Sequence, residues 1–174
     1  MGSFYTNISY RSTKSFFEEE LLQGYPEGLI VKDSALRGNI GFVLLENTNK
    51  KNVEGETEKF IKIYKIMKDE GEYGYKPFDE TAHPYLFGCP EYILKQSNCM
   101  DEQAIKWRAN NHSAIQKKKE KKQKVASMVI GNTYKVGQKK VKFISRYNSV
   151  RFVGLAEGEK ENKAYRYESI VWND

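Results

Sequence analysis

The chain has 174 residues, of which 39% are hydrophobic and 13% aromatic, and its formal net charge is +6. This length suits one domain, or one domain with a small appendage, and the hydrophobic content excludes a globally disordered chain. No run approaches the roughly 20 apolar residues of a membrane-spanning helix, and the N-terminus lacks the basic-then-apolar layout of a signal peptide. We therefore expect a cytoplasmic protein with no membrane partner.

The charge is distributed unevenly along the chain. Residues 1–100 carry 12 Lys and Arg against 15 Asp and Glu, whereas residues 101–174 carry 17 against 8. Such asymmetry indicates that the C-terminal part contacts a polyanion, most often nucleic acid. The alternative is a solvated basic surface that keeps the protein soluble.

The first 70 residues predict a small sheet with one helix packed against it. The predicted strands lie at residues 3–10, 29–35, 39–46 and 60–67. Serine and threonine at positions 12–15 are candidate N-caps for the helix, and Gly24 can end it. A tight turn is expected at residues 37–39, and a polar loop at residues 47–58.

Residues 73–94 form the most unusual part of the sequence, because they contain three of the four prolines and six aromatic residues. Proline lacks a backbone donor, so this segment is not expected to run as one helix or one central strand. We predict an ordered, non-repetitive segment inserted into the core, with Pro90 in the first turn of a short helix.

The C-terminal part predicts a helix followed by a β module. Asn98 and Asp101 are candidate caps for a helix that runs to Ile115, and residues 117–124 contain six lysines and one glutamate, typical of a solvated helix tail or a linker. Four short strands are then predicted at residues 129–136, 140–144, 150–155 and 164–172. Their number and length suggest a small SH3-like or hairpin module.

These elements predict an α+β fold, with a small mixed or antiparallel sheet and packed helices followed by a small all-β module. The predicted boundaries are an α+β domain at 1–115, a basic linker or helix tail at 116–127, and the β module at 128–174.

Several short motifs stand out in the sequence: GYKPFDE at 74–80, a proline at 84, CP at 89–90, IL at 93–94 and WR at 107–108. Together they resemble an uncharacterised bacterial family that is carried largely on phages, plasmids and integrative elements. The resemblance extends to the basic segment and to the phrase KVGQKKVKF at 135–143. The spacer at 81–83 departs from the family's pattern, in which a smaller or glycine-containing spacer is expected. The family has no assigned activity, so the resemblance implies a mobile-element context and no reaction.

Four residues of the central segment are candidates for catalysis by an acid, a base or a thiol: Asp79, Glu80, His83 and Cys89. Adjacent acidic side chains diverge in an extended backbone, so these two need not act on one substrate or ion. In the structural alternative, Asp79 caps a turn and Glu80 forms an ion pair with a lysine such as Lys76. The four Cys and His residues at 83, 89, 99 and 112 lack the close pairs of a zinc site, and Cys89 is expected to be buried or to cap a helix. We predict neither a metal nor a cofactor, since no P-loop, dinucleotide-binding or nucleophile-elbow motif occurs.

Basic residues interleaved with aromatic ones form the candidate nucleic-acid site. The basic candidates are Lys117, Lys118, Lys119, Lys121, Lys122, Lys139, Lys140, Lys142, Arg146 and Arg151. The neighbouring aromatic residues are Tyr134, Phe143, Tyr147 and Phe152. In the alternative interpretation, these aromatic residues are only the core of the module.

The sequence thus favours a non-enzymatic accessory protein of a mobile element that contacts DNA or RNA through its basic C-terminal half. One alternative is an inhibitor that binds a protein of a host defence system through exposed tyrosines at 73, 75, 85 and 92. Another is an enzyme with its site in residues 79–89.

Overall fold

The computed structural model describes residues 10–82 and 86–172 and the backbone of residues 4–6. The chain divides into two compact units, residues 1–116 (unit 1) and residues 117–174 (unit 2). Each unit contains one antiparallel sheet, and helices accompany the first. The predicted α+β fold with a small C-terminal β module is confirmed at this level.

The described residues of unit 1 form five strands, and most of the described helical residues follow the sheet. The strands are β1 (Phe4–Thr6), β2 (Leu29–Arg37), β3 (Ile40–Lys51), β4 (Thr57–Asp69) and β5 (Glu72–Asp79). The helices are α1 (Thr13–Phe16), which continues as a π-helical turn (Phe17–Leu21), α2 (Glu91–Leu94) and α3 (Glu102–Ala126), whose last ten residues belong to unit 2.

The sheet of unit 1 has the order β1-β5-β4-β3-β2 and is covered on both faces. Val43 and Leu45 pack on one face with Phe16, whereas Phe42 and Leu44 pack on the other with Trp107. Because neighbouring residues of a strand point to opposite faces, a strand buried on both sides needs a continuous apolar run. The run at 42–45 meets that requirement.

The N-terminal helix is fixed by its cap and by one close contact. The hydroxyl oxygen of Ser12 accepts a hydrogen bond from the backbone N–H of Ser15 at 3.1 Å, as expected of an N-cap. Phe17 then packs so closely on Gly41 that a β-carbon there would lie 2.4 Å from the ring. Only glycine leaves room for this packing of the helix on β3.

The loop predicted at residues 47–58 is shorter than expected, because the flanking strands extend into it from both sides and leave residues 52–56 as the connection. β3 extends to Lys51 and β4 begins at Thr57. The Asn52 side chain closes the connection by accepting hydrogen bonds from the backbone N–H groups of Glu54 and Glu56, both at 3.0 Å. Backbone hydrogen bonds therefore extend this hairpin beyond the apolar core. Its side chains there are polar and lack the alternating pattern from which a strand is predicted.

The central segment also differs from its prediction, since its first part is the strand β5 with Pro77 inside it. The backbone N–H of Glu80 donates to the carbonyl of Ile61 on β4 at 2.9 Å. Backbone donors alternate between the two edges of a strand, so the nitrogen of Pro77, three residues earlier, points away from β4. The described pairing of β1 reaches only to Tyr75, so no described strand meets that nitrogen.

The described residues between β5 and α2 are irregular, as predicted, and some of them are buried. Cys89 and Pro90 are buried, and Pro90 stands at the N-cap of α2 with φ −60° and ψ 141°. The later helix begins where Asp101 accepts a hydrogen bond from the backbone N–H of Gln103 at 2.9 Å. It continues without interruption through the lysine-rich residues 117–124.

The described part of unit 2 contains, after the end of α3, five short strands and one 3₁₀ turn. They are β6 (Thr133–Val136), β7 (Lys139–Arg146), β8 (Arg151–Ala156), β9 (Lys163–Arg166), the 3₁₀ turn (Tyr167–Ser169) and β10 (Ile170–Val171). The strand order is β10-β6-β7-β8-β9, so the predicted fourth strand is in fact two strands separated by the turn. The inner face holds a core that includes Val141, Phe143 and Phe152.

Across the described residues, no helix combines the length and apolar character needed to span a membrane.

Candidate nucleic-acid interface

Glu80, a catalytic candidate from the sequence, has a structural role in unit 1. Its side chain is fully buried, and its carboxylate accepts hydrogen bonds from Arg108 Nη1 at 3.0 Å and from Ser97 Oγ at 2.7 Å. The backbone N–H of Ile61 donates to it at 3.3 Å. Burial raises the pKa of this carboxyl above its usual value, against the opposing effects of Ser97 and Arg108. The partner is thus Arg108, not the expected lysine.

The other described catalytic candidates, Asp79 and Cys89, do not form a catalytic group with Glu80. Asp79 lies directly opposite Lys62, on the other face of the sheet from Ile61. Cys89 is a free, buried thiol whose pKa is raised strongly by desolvation, which keeps it protonated and unreactive. His83 lies outside the described residues. Among the described residues, no three His, Cys, Asp or Glu side chains are grouped to hold a metal ion.

Trp107 and Asn111 connect α3 to the segment before α2. The indole N–H of Trp107 donates to the carbonyl of Leu86 at 2.9 Å. Asn111, one turn later and also buried, accepts from the backbone N–H of Gly88 at 3.2 Å and donates to the Trp107 carbonyl at 3.1 Å. Asn111 was not predicted from the sequence, although its position four residues after Trp107 places both on one helix face. In this structure, the residues of the central motifs act as fold determinants.

The described tyrosines of the central segment do not form one exposed patch. Tyr73 is only 2% exposed and its ring stacks on Phe16 with a centroid distance of 5.2 Å. Tyr92, in contrast, is 51% exposed. Tyr85 is outside the described residues. The exposed patch that would have favoured a protein inhibitor is therefore absent from the described tyrosines.

In unit 2, the outer face of the sheet carries a group of lysines, which we call the lysine face: Lys135, Lys140 and Lys142. Val141 and Phe143 point into the core, so the alternation along β7 turns Lys140 and Lys142 outward. Lys135 lies directly opposite Lys140 in the β6–β7 ladder. All three lysines are exposed, and none lies within ion-pair distance of a carboxylate in the described part of the chain.

Lys139 differs from the lysine face because it is neutralised. Its ammonium lies 2.8 Å from the carboxylate of Glu159, which also pairs with Lys163 at 3.0 Å. The hydrogen bonds from these two lysines lower the pKa of Glu159 to about 2. This candidate therefore contributes less to an anion-binding surface than its neighbours in sequence.

The two candidate arginines have different surroundings. Arg146 Nη2 donates to the carbonyls of Val125 and Ala126, at 3.1 and 2.9 Å, and so caps the C-terminal end of α3. Its guanidinium also lies 5.8 Å from the centre of the Phe143 ring. Arg151 is exposed and lies directly opposite Arg166, which pairs with Glu168 at 2.8 Å.

The helical candidates Lys117, Lys118, Lys119, Lys121 and Lys122 are all exposed. The spacing of Lys118, Lys121, Lys122 and Val125 places these four on one face of the helix. They line a groove against the β7–β8 loop and the 3₁₀ turn, which we call the helix-end groove. The groove has two adjoining parts of about 350 and 380 Å³, which share Lys122, Val125, Ser149 and Tyr167.

No protein-family model, curated protein or solved structure matches this chain.

Proposed function

We propose that this protein is a non-enzymatic nucleic-acid-binding protein and that unit 2 carries the binding surface. The observation that supports the proposal most strongly is the lysine face, where Lys135 and Lys140 are cross-strand neighbours and Lys142 extends the same face. Thr133, opposite Lys142, adds a hydroxyl group to it. A phosphate backbone is the common biological ligand that matches a row of exposed ammonium groups.

The arrangement of these lysines is unfavourable for the isolated protein. Side chains directly opposite each other in an antiparallel pair have β-carbons about 4.5–5.5 Å apart, and like charges there destabilise the sheet. A polyanion bound across β6 and β7 would remove this repulsion and release its own condensed counterions. Binding energy would thus come from charges that folding leaves without partners.

The module that presents these lysines is interpreted as SH3-like. Its five antiparallel strands form one sheet in which β10 pairs with β6 at one edge, and a bulge lies in β7 between Phe143 and Ser145. A bulge increases local twist, which helps a short sheet to curl over its core. The curled sheet turns Lys140 and Lys142 outward while Phe143 and Phe152 fill the inside.

The biological setting that we propose is a mobile genetic element, in which the protein acts as an accessory factor in the cytoplasm. This setting rests on the resemblance of the motifs at 74–80, 89–90 and 107–108 to the mobile-element family. Those motifs lie in unit 1 and stabilise it, so they leave unit 2 as the proposed site of binding.

A salt titration tests the proposal. Fluorescence anisotropy with mixed-sequence DNA and RNA should give an affinity that falls linearly with salt on logarithmic axes. The slope should be roughly −2 to −3 or steeper, because each neutralised phosphate contributes about −0.7 to −0.9. Negligible affinity at low salt, or an affinity that does not change with salt, would contradict the proposed function.

A further inference from the structure

The helix-end groove contains an exposed aromatic ring among lysines. Tyr147 is 65% exposed, and it lines the same part of the groove as Lys122, Arg146 and Val125. The other aromatic candidates from the sequence are different, since Phe143 and Phe152 are buried in the core and Tyr134 is half-buried. Tyr147 is therefore the member of that set with a ring face available to a ligand.

The loop that carries Tyr147 is held by hydrogen bonds. Asn148 Oδ1 accepts from the backbone N–H groups of Val150 and Arg151, both at 2.8 Å, and the Tyr147 N–H donates to the Arg151 carbonyl at 3.1 Å. The N–H of Tyr167 donates to the carbonyl of Val150 at 3.0 Å, which ties the loop to the 3₁₀ turn. A ring on such a loop loses little conformational freedom when it binds.

The charge of the groove is strongly positive. Three lysines of α3 line it, and Arg146 joins them at the helix end. Among the residues that line it, the one carboxylate is Glu168, which forms an ion pair with Arg166 at 2.8 Å. The groove thus combines an apolar floor around Val125 and Val150 with a cationic rim, which complements a ligand that has flat apolar groups and negative charges.

We propose that the helix-end groove binds an unpaired base of a single-stranded nucleic acid, with the base stacked on Tyr147 and adjacent phosphates near Lys118, Lys121 and Lys122. This inference rests on the proposed function and adds the form of nucleic acid that is preferred. Every base has a π-face, so stacking on an aromatic ring tolerates any sequence. In a duplex the bases are stacked within the helix, and Tyr147 would have no ring to contact.

The test compares strands with a duplex and uses matched variants. Fluorescence anisotropy would measure the binding of a labelled 12-nucleotide DNA strand, the same sequence as RNA, and the 12-base-pair DNA duplex, all at low salt. The variants are Tyr147→Leu, which keeps an apolar side chain, and Tyr147→Phe, which keeps the ring. Lys122→Gln is paired with Lys160→Gln, an exposed lysine that does not line the groove.

We expect the wild-type protein to prefer the single strands, with the DNA and RNA arms showing whether the sugar matters. Tyr147→Leu should weaken single-strand binding about tenfold and leave duplex binding unchanged, because stacking of one base contributes about 1–3 kcal/mol. Tyr147→Phe should bind like the wild type. Lys122→Gln should weaken single-strand binding more than Lys160→Gln does.

Three outcomes would overturn the inference. If Tyr147→Leu leaves single-strand binding unchanged while salt-dependent binding persists, the groove proposal fails and the proposed function stands. If no nucleic acid binds at low salt, both fail. If an acidic, tyrosine-containing peptide binds more tightly than the strands and loses affinity with Tyr147→Leu, the groove takes a protein segment instead.

Discussion

Unit 1 and unit 2 place their notable charged residues in opposite environments. In unit 1, the fully buried carboxylate of Glu80 is matched by Arg108, Ser97 and a backbone N–H group. In unit 2, the three lysines of the lysine face are exposed and no described carboxylate pairs with them. The sequence motifs of unit 1 therefore serve folding, whereas the lysine face of unit 2 leaves its charges exposed to solvent.

Both sheets contain like-charge cross-strand neighbours, and one lysine pair in each sheet shows how their surroundings differ. In unit 1, Lys65 lies opposite Lys76, and the ammonium of Lys76 is 5.4 Å from the centre of the Phe78 ring. A cation over an aromatic face gains electrostatic stabilisation. In unit 2, Lys135 and Lys140 lie opposite each other and no such ring contact involves them in the described part of the chain. The described contacts thus stabilise the lysine pair of unit 1 but provide no such ring contact for the pair of unit 2.

The largest effect is expected from Arg108→Met in unit 1. This change leaves the carboxylate of Glu80 buried without its cationic partner, which should lower the free energy of unfolding by about 3–5 kcal/mol. Urea denaturation, monitored by the fluorescence of Trp107, would measure this loss of stability. Both proteins would carry Trp172→Phe, so that Trp107 is the fluorescent tryptophan.

The control for this prediction is the double variant Glu80→Gln with Arg108→Met. The amide that replaces the carboxylate would still accept hydrogen bonds but would carry no charge, so a large part of the lost stability should return. A loss below about 1 kcal/mol in the single variant would mean that the pair does not hold unit 1 together.

A smaller effect on stability is expected from Arg146→Gln, which separates the structural arginine of unit 2 from the exposed one. Arg146 donates to the last carbonyls of α3, and its loss should cost about 1 kcal/mol of stability in unit 2. Hydrogen exchange of the β7 and β8 amides would report the change. Arg151→Gln is the matched control and should stay within about 0.5 kcal/mol of the wild type. Equal effects of the two changes would contradict the capping role.

The smallest effect concerns the pH dependence of the stabilisation that Glu159 provides through its ion pairs with Lys139 and Lys163. Lys139 and Lys163 lower the pKa of Glu159 to about 2, below its usual value of 4.5, so the stabilisation is present above about pH 4.5 and is lost as the pH falls through about 2. In thermal denaturation, the wild type should have a higher melting temperature than Glu159→Gln at pH 6, and the two melting temperatures should converge near pH 2. A gap that persists at pH 2 would exclude the charge as its cause.

Parts of the fold followed directly from the sequence. The apolar run at 42–45, the turn at Gly38 and the cap at Ser12 all use local signals, and the structure contains each of them. β5 could not be predicted in the same way. Whether Pro77 is tolerated depends on which edge its nitrogen faces, and that is set by the register with β4, a non-local property.

The candidate site was predictable to a similar extent. Alternation in residues 139–143 shows that Lys140 and Lys142 share a face opposite Val141 and Phe143. The sequence could not show that Arg146 would cap a helix, or that Glu159 would neutralise Lys139 from 20 residues away. It also offered no means of separating Tyr147 from the buried aromatic residues, because each of them has basic neighbours.

The most direct test of the account is a comparison of salt slopes between two triple variants with the same loss of charge. One carries Lys135→Gln, Lys140→Gln and Lys142→Gln on the lysine face, and the other carries Lys14→Gln, Lys51→Gln and Lys65→Gln in unit 1. We expect the first to reduce the slope of log affinity against log salt by about 2–3 and the second to leave it nearly unchanged. Equal changes in the two slopes, or a change only in the second, would contradict the claim that unit 2 binds nucleic acid through this face.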